Sequence, residues 1–196
     1  MIVVLGFFRS GTSALCRMLD YCGVDFGKGL IPPSKYNTLG YYENHLINEL
    51  NQAMGHGFHV ERPVPRPDVL STVKSLLDIR NPQAIKDPRI CRLVPSYVEI
   101  IEDPVFILIE RDEDACVKSF DNFTLNYYGM AHARALRAQY QEMAWTDTQD
   151  KKRVCVTYED LLKDWRQVAQ KINEITPLNI GEWGGIDRKM NHAVLR

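Results

Sequence analysis

The chain has 196 residues, 45% of them hydrophobic, and its 24 Lys and Arg residues nearly balance 25 Asp and Glu residues, which predicts one domain over residues 1–196 with a sizeable core. The net charge of −1 predicts no nucleic-acid partner, and apolar runs well short of the ~18 residues of a membrane span predict no membrane partner. Five cysteines without a CxxC pair favour reduced thiols, and a first strand predicted from residue 2 leaves no room for a signal peptide, so we expect a cytoplasmic protein.

A strand, a loop bracketed by glycines and a helix open the chain. The apolar stretch Ile2–Leu5 predicts a buried strand, and a helix is predicted over residues 11–21. Gly6 and Gly11 allow the backbone conformations of a tight turn, and Gly11 also lets a ligand approach closely. The first amides of the helix carry the positive end of its dipole, so this turn predicts a phosphate or sulfate site.

The spacing of this loop is similar to that of the phosphate-binding loop GxxxxGK[ST], but Thr12 replaces the lysine. That lysine normally reaches the β- and γ-phosphates of a triphosphate, so an ordinary ATPase or kinase is disfavoured. The positive charge stands instead at Arg9, whose guanidinium can bind two oxygens of a terminal phosphate or sulfuryl group. The alternative is that Arg9 is a solvated loop residue and Gly11 a simple turn.

An irregular connector follows the first helix, because residues 20–33 contain three glycines and a Pro-Pro pair. It then gathers three tyrosines and the acid Glu43 before a predicted helix over residues 44–54. The next segment, residues 55–67, is polar and rich in proline. Its two histidines, His56 and His59, lack further ligands at suitable spacing, so we predict no metal site.

Strands and helices alternate through the rest of the chain. We predict helices over 73–79, 95–101, 113–126, 131–145 and 158–175, and strands over 83–86, 104–110 and 153–156. The run 104–110 is almost entirely apolar, as in a parallel strand buried on both faces. The alternation predicts an α/β three-layer sandwich with a central parallel sheet. Ligands bind such sheets at the carboxyl ends of the strands, where we expect the glycine loop, Lys86-Asp87, Arg111 and Thr157-Tyr158 to meet.

The residues at three of these strand ends resemble the sequence motifs of the sulfotransferases that use 3′-phosphoadenosine 5′-phosphosulfate (PAPS). This family has a P-loop NTPase-like fold. Arg9-Ser10-Gly11-Thr12-Ser13 fits the family's loop [KR]-S-G-T-[ST], and Arg111 and Ser119 have the eight-residue separation of its second motif. Tyr158-Glu159-Asp160-Leu161 resembles its Y-E-D-L segment. Gly40-Tyr41-Tyr42-Glu43-Asn44 and Lys86-Asp87-Pro88-Arg89 are similar to the bacterial and glycan-type branch. Glu113 replaces a common proline of the second motif, and the R-K-G-x-x-G motif of the cytosolic branch is not found.

The resemblance implies roles for these residues. Arg9 would hold the sulfuryl group, and Lys86 would supply a second cation at the leaving oxygen. Arg111 and Ser119 would hold the 3′-phosphate, while the helix amides hold the 5′-phosphate without a metal. The implied donor-binding residues are Arg9, Ser10, Gly11, Thr12, Ser13, Ala14, Arg111, Ser119 and Tyr158. Lys86 can equally be a surface lysine.

The acceptor needs a base, and the resemblance implies Glu43 because the related branch places its catalytic glutamate in this connector. The alternative is that Glu43 caps the following helix. Asp87 and His45 are the reserve bases, although Asp87 precedes a proline and is equally suited to capping a turn. Residues 27–43 and 55–67 are expected to form the acceptor pocket.

The implied reaction transfers a sulfuryl group from PAPS to a hydroxyl or amine of a small-molecule or glycan acceptor, and it releases adenosine 3′,5′-bisphosphate. Two other functions remain open from the residues alone. One is a small-molecule or nucleotide kinase on the same loop architecture. The other is a catalytically silent protein that retains the nucleotide site.

Overall fold

Four parallel strands form the centre of the protein. The computed structural model describes residues 1–38, 40–54 and 62–176. The strands are β1 (Ile2–Leu5), β2 (Ala84–Lys86), β3 (Val105–Glu110) and β4 (Arg153–Thr157), in the spatial order β2-β1-β3-β4. Each neighbouring pair is parallel, with Val3 opposite both Ile85 and Phe106. The carboxyl ends of all four strands therefore meet at one edge, as the sequence predicts.

Helices cover both faces of this sheet. They are α1 (Thr12–Tyr21), α2 (His45–Met54), α3 (Pro67–Arg80), α4 (Val94–Ile100), α5 (Glu113–Phe123), α6 (Met130–Asp147), α7 (Tyr158–Lys163) and α8 (Trp165–Asn173). Val3 and Leu5 pack on one face with residues of α2 to α6, while Ile2 and Val4 pack on the other with α1, α7 and α8. The predicted three-layer α/β sandwich is confirmed. No helix in the described ranges is long and apolar enough to cross a membrane.

The single helix predicted over 158–175 is wrong, because the chain forms two helices there. Thr157 caps α7, its hydroxyl accepting from the Asp160 amide at 3.0 Å. Asp164 then leaves helical geometry, with φ −156° and ψ 89°, and its carboxylate accepts from the Arg166 amide at 3.1 Å to begin α8. The break has no glycine or proline to mark it, so helical periodicity alone did not reveal it.

The bounds of several other elements also differ from the predictions, most clearly at α3 and before α4. The helix predicted over 73–79 extends from Pro67 to Arg80, since proline is well tolerated in the first helical turn, where its missing N–H is not needed. A 3₁₀ turn, Pro88–Arg92, precedes α4, and the Asp87 carboxylate starts it by accepting from the Arg89 amide at 2.9 Å.

Within the segment 55–67, residues 55–61 with His56 and His59 lie outside the described residues, as does the tail from residue 177 onward.

Candidate functional site

The loop between β1 and α1 depends on two left-handed residues. Gly11 has φ +98°, and a Cβ placed on it would lie 2.3 Å from Cδ2 of Tyr158. Arg9 has φ +67° although it is not a glycine. Gly6 is needed for space, because its Cβ would lie 2.8 Å from the Ile109 carbonyl oxygen. Left-handed residues in such a turn orient successive N–H groups toward a common point, which suits an anion.

The carboxyl edge of the sheet opens into a cleft of about 610 Å³, which is within the range of ligand pockets. The sequence-predicted residues that line it are Arg9, Gly11, Thr12, Ser13, Ala14, Glu43, Lys86, Arg111 and Tyr158. The structure therefore confirms that the ends of all four strands contribute to one cleft.

Arg9 and Arg111 converge at one end of this cleft. Arg9 Nε donates to Ser119 Oγ at 3.1 Å, and Arg111 donates to the Arg9 carbonyl oxygen at 3.1 Å. The Arg111 guanidinium also lies 4.8 Å from the centre of the Tyr158 ring. Burial lowers the pKa of Arg9, and the nearby positive charge of Arg111 lowers it further. An anion placed here would relieve the repulsion between the two guanidinium groups.

Ser10 differs from the other loop residues. Its amide closes a turn by donating to the Phe7 carbonyl oxygen at 3.1 Å. Its side chain is buried and lines a small separate cavity beneath the loop with Leu108 and Tyr140. Ser10 is therefore not among the described residues that line the cleft, and we assign no ligand contact to its side chain.

A buried ion pair forms the other end of the cleft. Lys86 Nζ lies 2.6 Å from Glu43 Oε1, and the two side chains are only 2% and 9% exposed. Lys86 is therefore not a surface lysine. Asn48 Nδ2 donates to the second Glu43 oxygen at 2.7 Å. Burial raises the pKa of Glu43, Lys86 opposes this shift, and the nearby Asp87 charge adds to it.

The structure distinguishes Glu43 from its alternatives. The side chain that caps α2 is Asn44, whose Oδ1 accepts from the Ile47 amide at 3.2 Å. Asp87 is buried, and its carboxylate accepts from Asn51 at 3.1 Å as well as from Arg89, which fits the turn-capping role. His45 is exposed beside Glu49. Neither reserve base lines the cleft, whereas Glu43 does.

The connector between α1 and α2 crosses the glycine loop. Its Tyr36 carbonyl oxygen accepts from Arg9 NH1 at 3.1 Å, and its Tyr41 carbonyl oxygen accepts from Lys86 Nζ at 3.0 Å. Asn37 donates to Ser13 Oγ at 3.1 Å. The connector is thus held by the same side chains that line the cleft.

Sequence reasoning missed the polar network behind Glu43. Asn48 and Asn51 are both buried, and Asn51 Oδ1 accepts from the buried Tyr97 hydroxyl at 2.8 Å. Two asparagines three residues apart on the face of α2 that also buries Ile47 are unusual, because buried amides require partners. That spacing was the available signal. Among the described residues, no group of three or more His, Cys, Asp or Glu side chains could hold a metal ion.

The fold and the cleft define an α/β protein of the P-loop type, in which a glycine loop and a helix start face a cationic cleft. A model of the sulfotransferase family matches residues 2–180, so the chain belongs to that family. Among solved structures, the chain is similar to the sulfotransferase domain from the curacin biosynthetic pathway, with a TM-score of 0.62 and 16% identity over 94% of this chain and 75% of that one. This likeness concerns the fold. A comparison with curated proteins gave no match.

Proposed function

We propose that the protein transfers a sulfuryl group from PAPS to a hydroxyl or amine of a small-molecule or glycan acceptor. Membership of the sulfotransferase family supports the transferase class. The observation that carries the finer assignment is one cleft that joins two converging guanidinium groups, Arg9 and Arg111, to a buried Glu43–Lys86 pair.

The residues at the arginine end fit a donor with several anionic groups. Arg111 and Ser119 would bind the 3′-phosphate, and Tyr158 would lie beside the nucleotide. Arg9 and the amides at the start of α1 would bind the 5′-phosphosulfate. The packing of Gly11 against Tyr158 supports this fit, because a Cβ on Gly11 would overlap the ring and the two proposed nucleotide contacts therefore lie side by side.

Glu43 would accept the proton of the acceptor, and Lys86 would stabilise the charge on the leaving group. The acceptor oxygen attacks sulfur while its proton passes to Glu43, and the bond from sulfur to the bridging oxygen breaks. Lys86 stabilises the negative charge that develops on this leaving oxygen, and adenosine 3′,5′-bisphosphate is released. Burial raises the pKa of Glu43, which makes its carboxylate a stronger base than an exposed glutamate.

Replacing Arg111 with alanine tests the donor assignment. We expect adenosine 3′,5′-bisphosphate to bind roughly ten- to a hundredfold more weakly, because a charge-assisted contact to the 3′-phosphate is lost. Adenosine 5′-phosphate, which lacks that group, should lose much less. Titration calorimetry with both nucleotides measures the difference.

Arg66→Ala is the matched control, because the Arg66 side chain is 58% exposed and does not line the cleft. Equal losses for the two nucleotides in Arg111→Ala would contradict a 3′-phosphate site at Arg111. Tighter binding of ATP with Mg²⁺ than of adenosine 3′,5′-bisphosphate by the wild-type protein would favour the kinase instead.

The acidic limb of the pH profile should follow the ionisation of Glu43. Only the carboxylate can accept a proton, and burial raises the pKa of Glu43. As the pH is lowered, the rate of transfer should therefore begin to decrease at a higher pH than it would with an ordinary glutamate as the base. Lys86 lowers this pKa, so Lys86→Gln should move the Glu43 titration to still higher pH. Carbon-13 NMR of labelled glutamate measures it directly. The control is Lys74→Gln, at an exposed pair with Asp78, and an unchanged Glu43 titration in Lys86→Gln would contradict the coupling.

A further inference from the structure

The cleft is strongly cationic. The cationic residues that line it are Arg9, Arg17, Lys35, Lys86, Arg89 and Arg111, and among the described residues Glu43 is the one carboxylate that lines it with them. The whole chain is nearly neutral, with a net charge of −1. The excess is therefore local. Arg9, Lys86 and Arg111 are assigned to the donor, which leaves three cations without a role.

Arg89 lies at the β2 end of the sheet edge, away from the proposed 3′-phosphate site. The strand order β2-β1-β3-β4 places Arg111 after β3, whereas Arg89 follows β2. Neighbouring strands are about 4.8 Å apart, so the ends of β2 and β3 are separated by roughly 10 Å. Arg89 is thus close to the Glu43–Lys86 pair, and its charge acts on Glu43. Asn48 links the two, because it donates to both Asp87 and Glu43.

Arg89 is held in place there by two contacts. Its NH1 donates to Asp87 Oδ1 at 3.1 Å, and its guanidinium lies 5.3 Å from the centre of the Phe8 ring. Its side chain is 15% exposed. An arginine has five N–H donors, and the described part of the chain gives a side-chain partner only to NH1. The other donors of a fixed, partly open guanidinium suit the two oxygens of an anion.

We propose that Arg89 forms an anion subsite for the acceptor, so that the acceptor carries a carboxylate, phosphate or sulfate group besides the hydroxyl that is sulfated. This inference rests on the proposed function, because it takes Glu43 as the base and the arginine end as the donor site. Phe8, which also lines the cleft, provides an apolar ring beside the subsite.

The test compares 4-hydroxybenzoate with 4-hydroxybenzamide, which have similar shapes and differ in charge. Titration calorimetry is carried out on the wild-type protein saturated with adenosine 3′,5′-bisphosphate, so that the donor anion sites are filled. We expect 4-hydroxybenzoate to bind at least about tenfold more tightly than the amide. Arg89→Gln should remove this preference and leave the affinity for adenosine 3′,5′-bisphosphate unchanged.

Arg66→Gln is the control, since it makes the same change of charge at an exposed residue outside the cleft. Arg89→Gln should fold, because Asp87 keeps its contacts with Asn51 and the Arg89 amide, and a thermal melt checks this.

Equal binding of the two compounds, binding of neither, or a retained preference in Arg89→Gln would overturn the subsite. Weaker binding of adenosine 3′,5′-bisphosphate to Arg89→Gln would place Arg89 in the donor site. Failure of the wild-type protein to bind that nucleotide would instead overturn the proposed function, and the subsite with it.

Discussion

Glu43→Gln should lower kcat about 10²–10⁴-fold, because a glutamine amide cannot accept the acceptor's proton. Its carbonyl oxygen can still accept from Lys86, so the ion pair that Glu43 Oε1 makes at 2.6 Å is replaced by a hydrogen bond from the ammonium group to an uncharged oxygen. Affinity for adenosine 3′,5′-bisphosphate should change little, since the proposed contacts of its phosphates with Arg9, Arg111 and the helix amides are retained. The measurement is sulfuryl transfer from labelled PAPS to whichever phenol, sugar or amine the wild-type protein sulfates fastest.

Glu49→Gln is the matched control for this variant. Glu49 lies on α2 with its side chain 61% exposed, and it does not line the cleft. A thermal melt shows whether Glu43→Gln remains folded, because removing one partner of a buried ion pair can destabilise a protein. Unchanged transfer in a folded Glu43→Gln protein would mean that another group is the base. A wild-type protein that binds the nucleotide but transfers nothing to any member of the panel would favour the silent binding protein.

Gly11→Ala should weaken nucleotide binding roughly five- to 150-fold. Left-handed strain at φ +98°, about 1–2 kcal/mol, lowers the free energy of unfolding, whereas the steric overlap, typically about 1–3 kcal/mol, distorts the nucleotide site. The overlap arises because the new Cβ would lie 2.3 Å from the Tyr158 ring. Either the loop or the ring must move, and both line the donor end of the cleft. Calorimetry with adenosine 3′,5′-bisphosphate measures the loss.

Gly129→Ala separates the two contributions. Gly129 also has a positive φ, +76°, but a Cβ there meets none of the described atoms within 4 Å, and it lies outside the cleft. We expect this variant to lower the free energy of unfolding without affecting nucleotide binding. Equal nucleotide affinities in Gly11→Ala and the wild type would show that the contact between the loop and Tyr158 does not shape the site.

The sequence was sufficient for the sheet and for the edge where the cleft lies. The apolar run 104–110 corresponds to β3, and the rule that ligands bind at the ends of parallel strands correctly grouped Arg9, Arg111 and Tyr158. These inferences succeed because strand burial and parallel topology depend on local patterns. The helix break at Asp164 was missed because no such pattern marks it.

The environment of the candidate base could not be predicted in the same way. Lys86 and Glu43 are 43 residues apart, and the path of the irregular connector that brings them together follows no periodicity. The Ser10 side chain is buried in a separate cavity, and the position of Arg89 depends on its packing against Asp87 and Phe8. Such features result from tertiary packing, which a single sequence does not display.

The connector across the glycine loop affects how any measured affinity is interpreted. Its Tyr36 and Tyr41 carbonyl oxygens accept from Arg9 and Lys86, which are also the candidate ligands of the phosphosulfate. An incoming anion that binds these donors must take them from the connector. The dissociation constant would then report an exchange of one set of acceptor oxygens for another, and it would be weaker than the new contacts alone suggest.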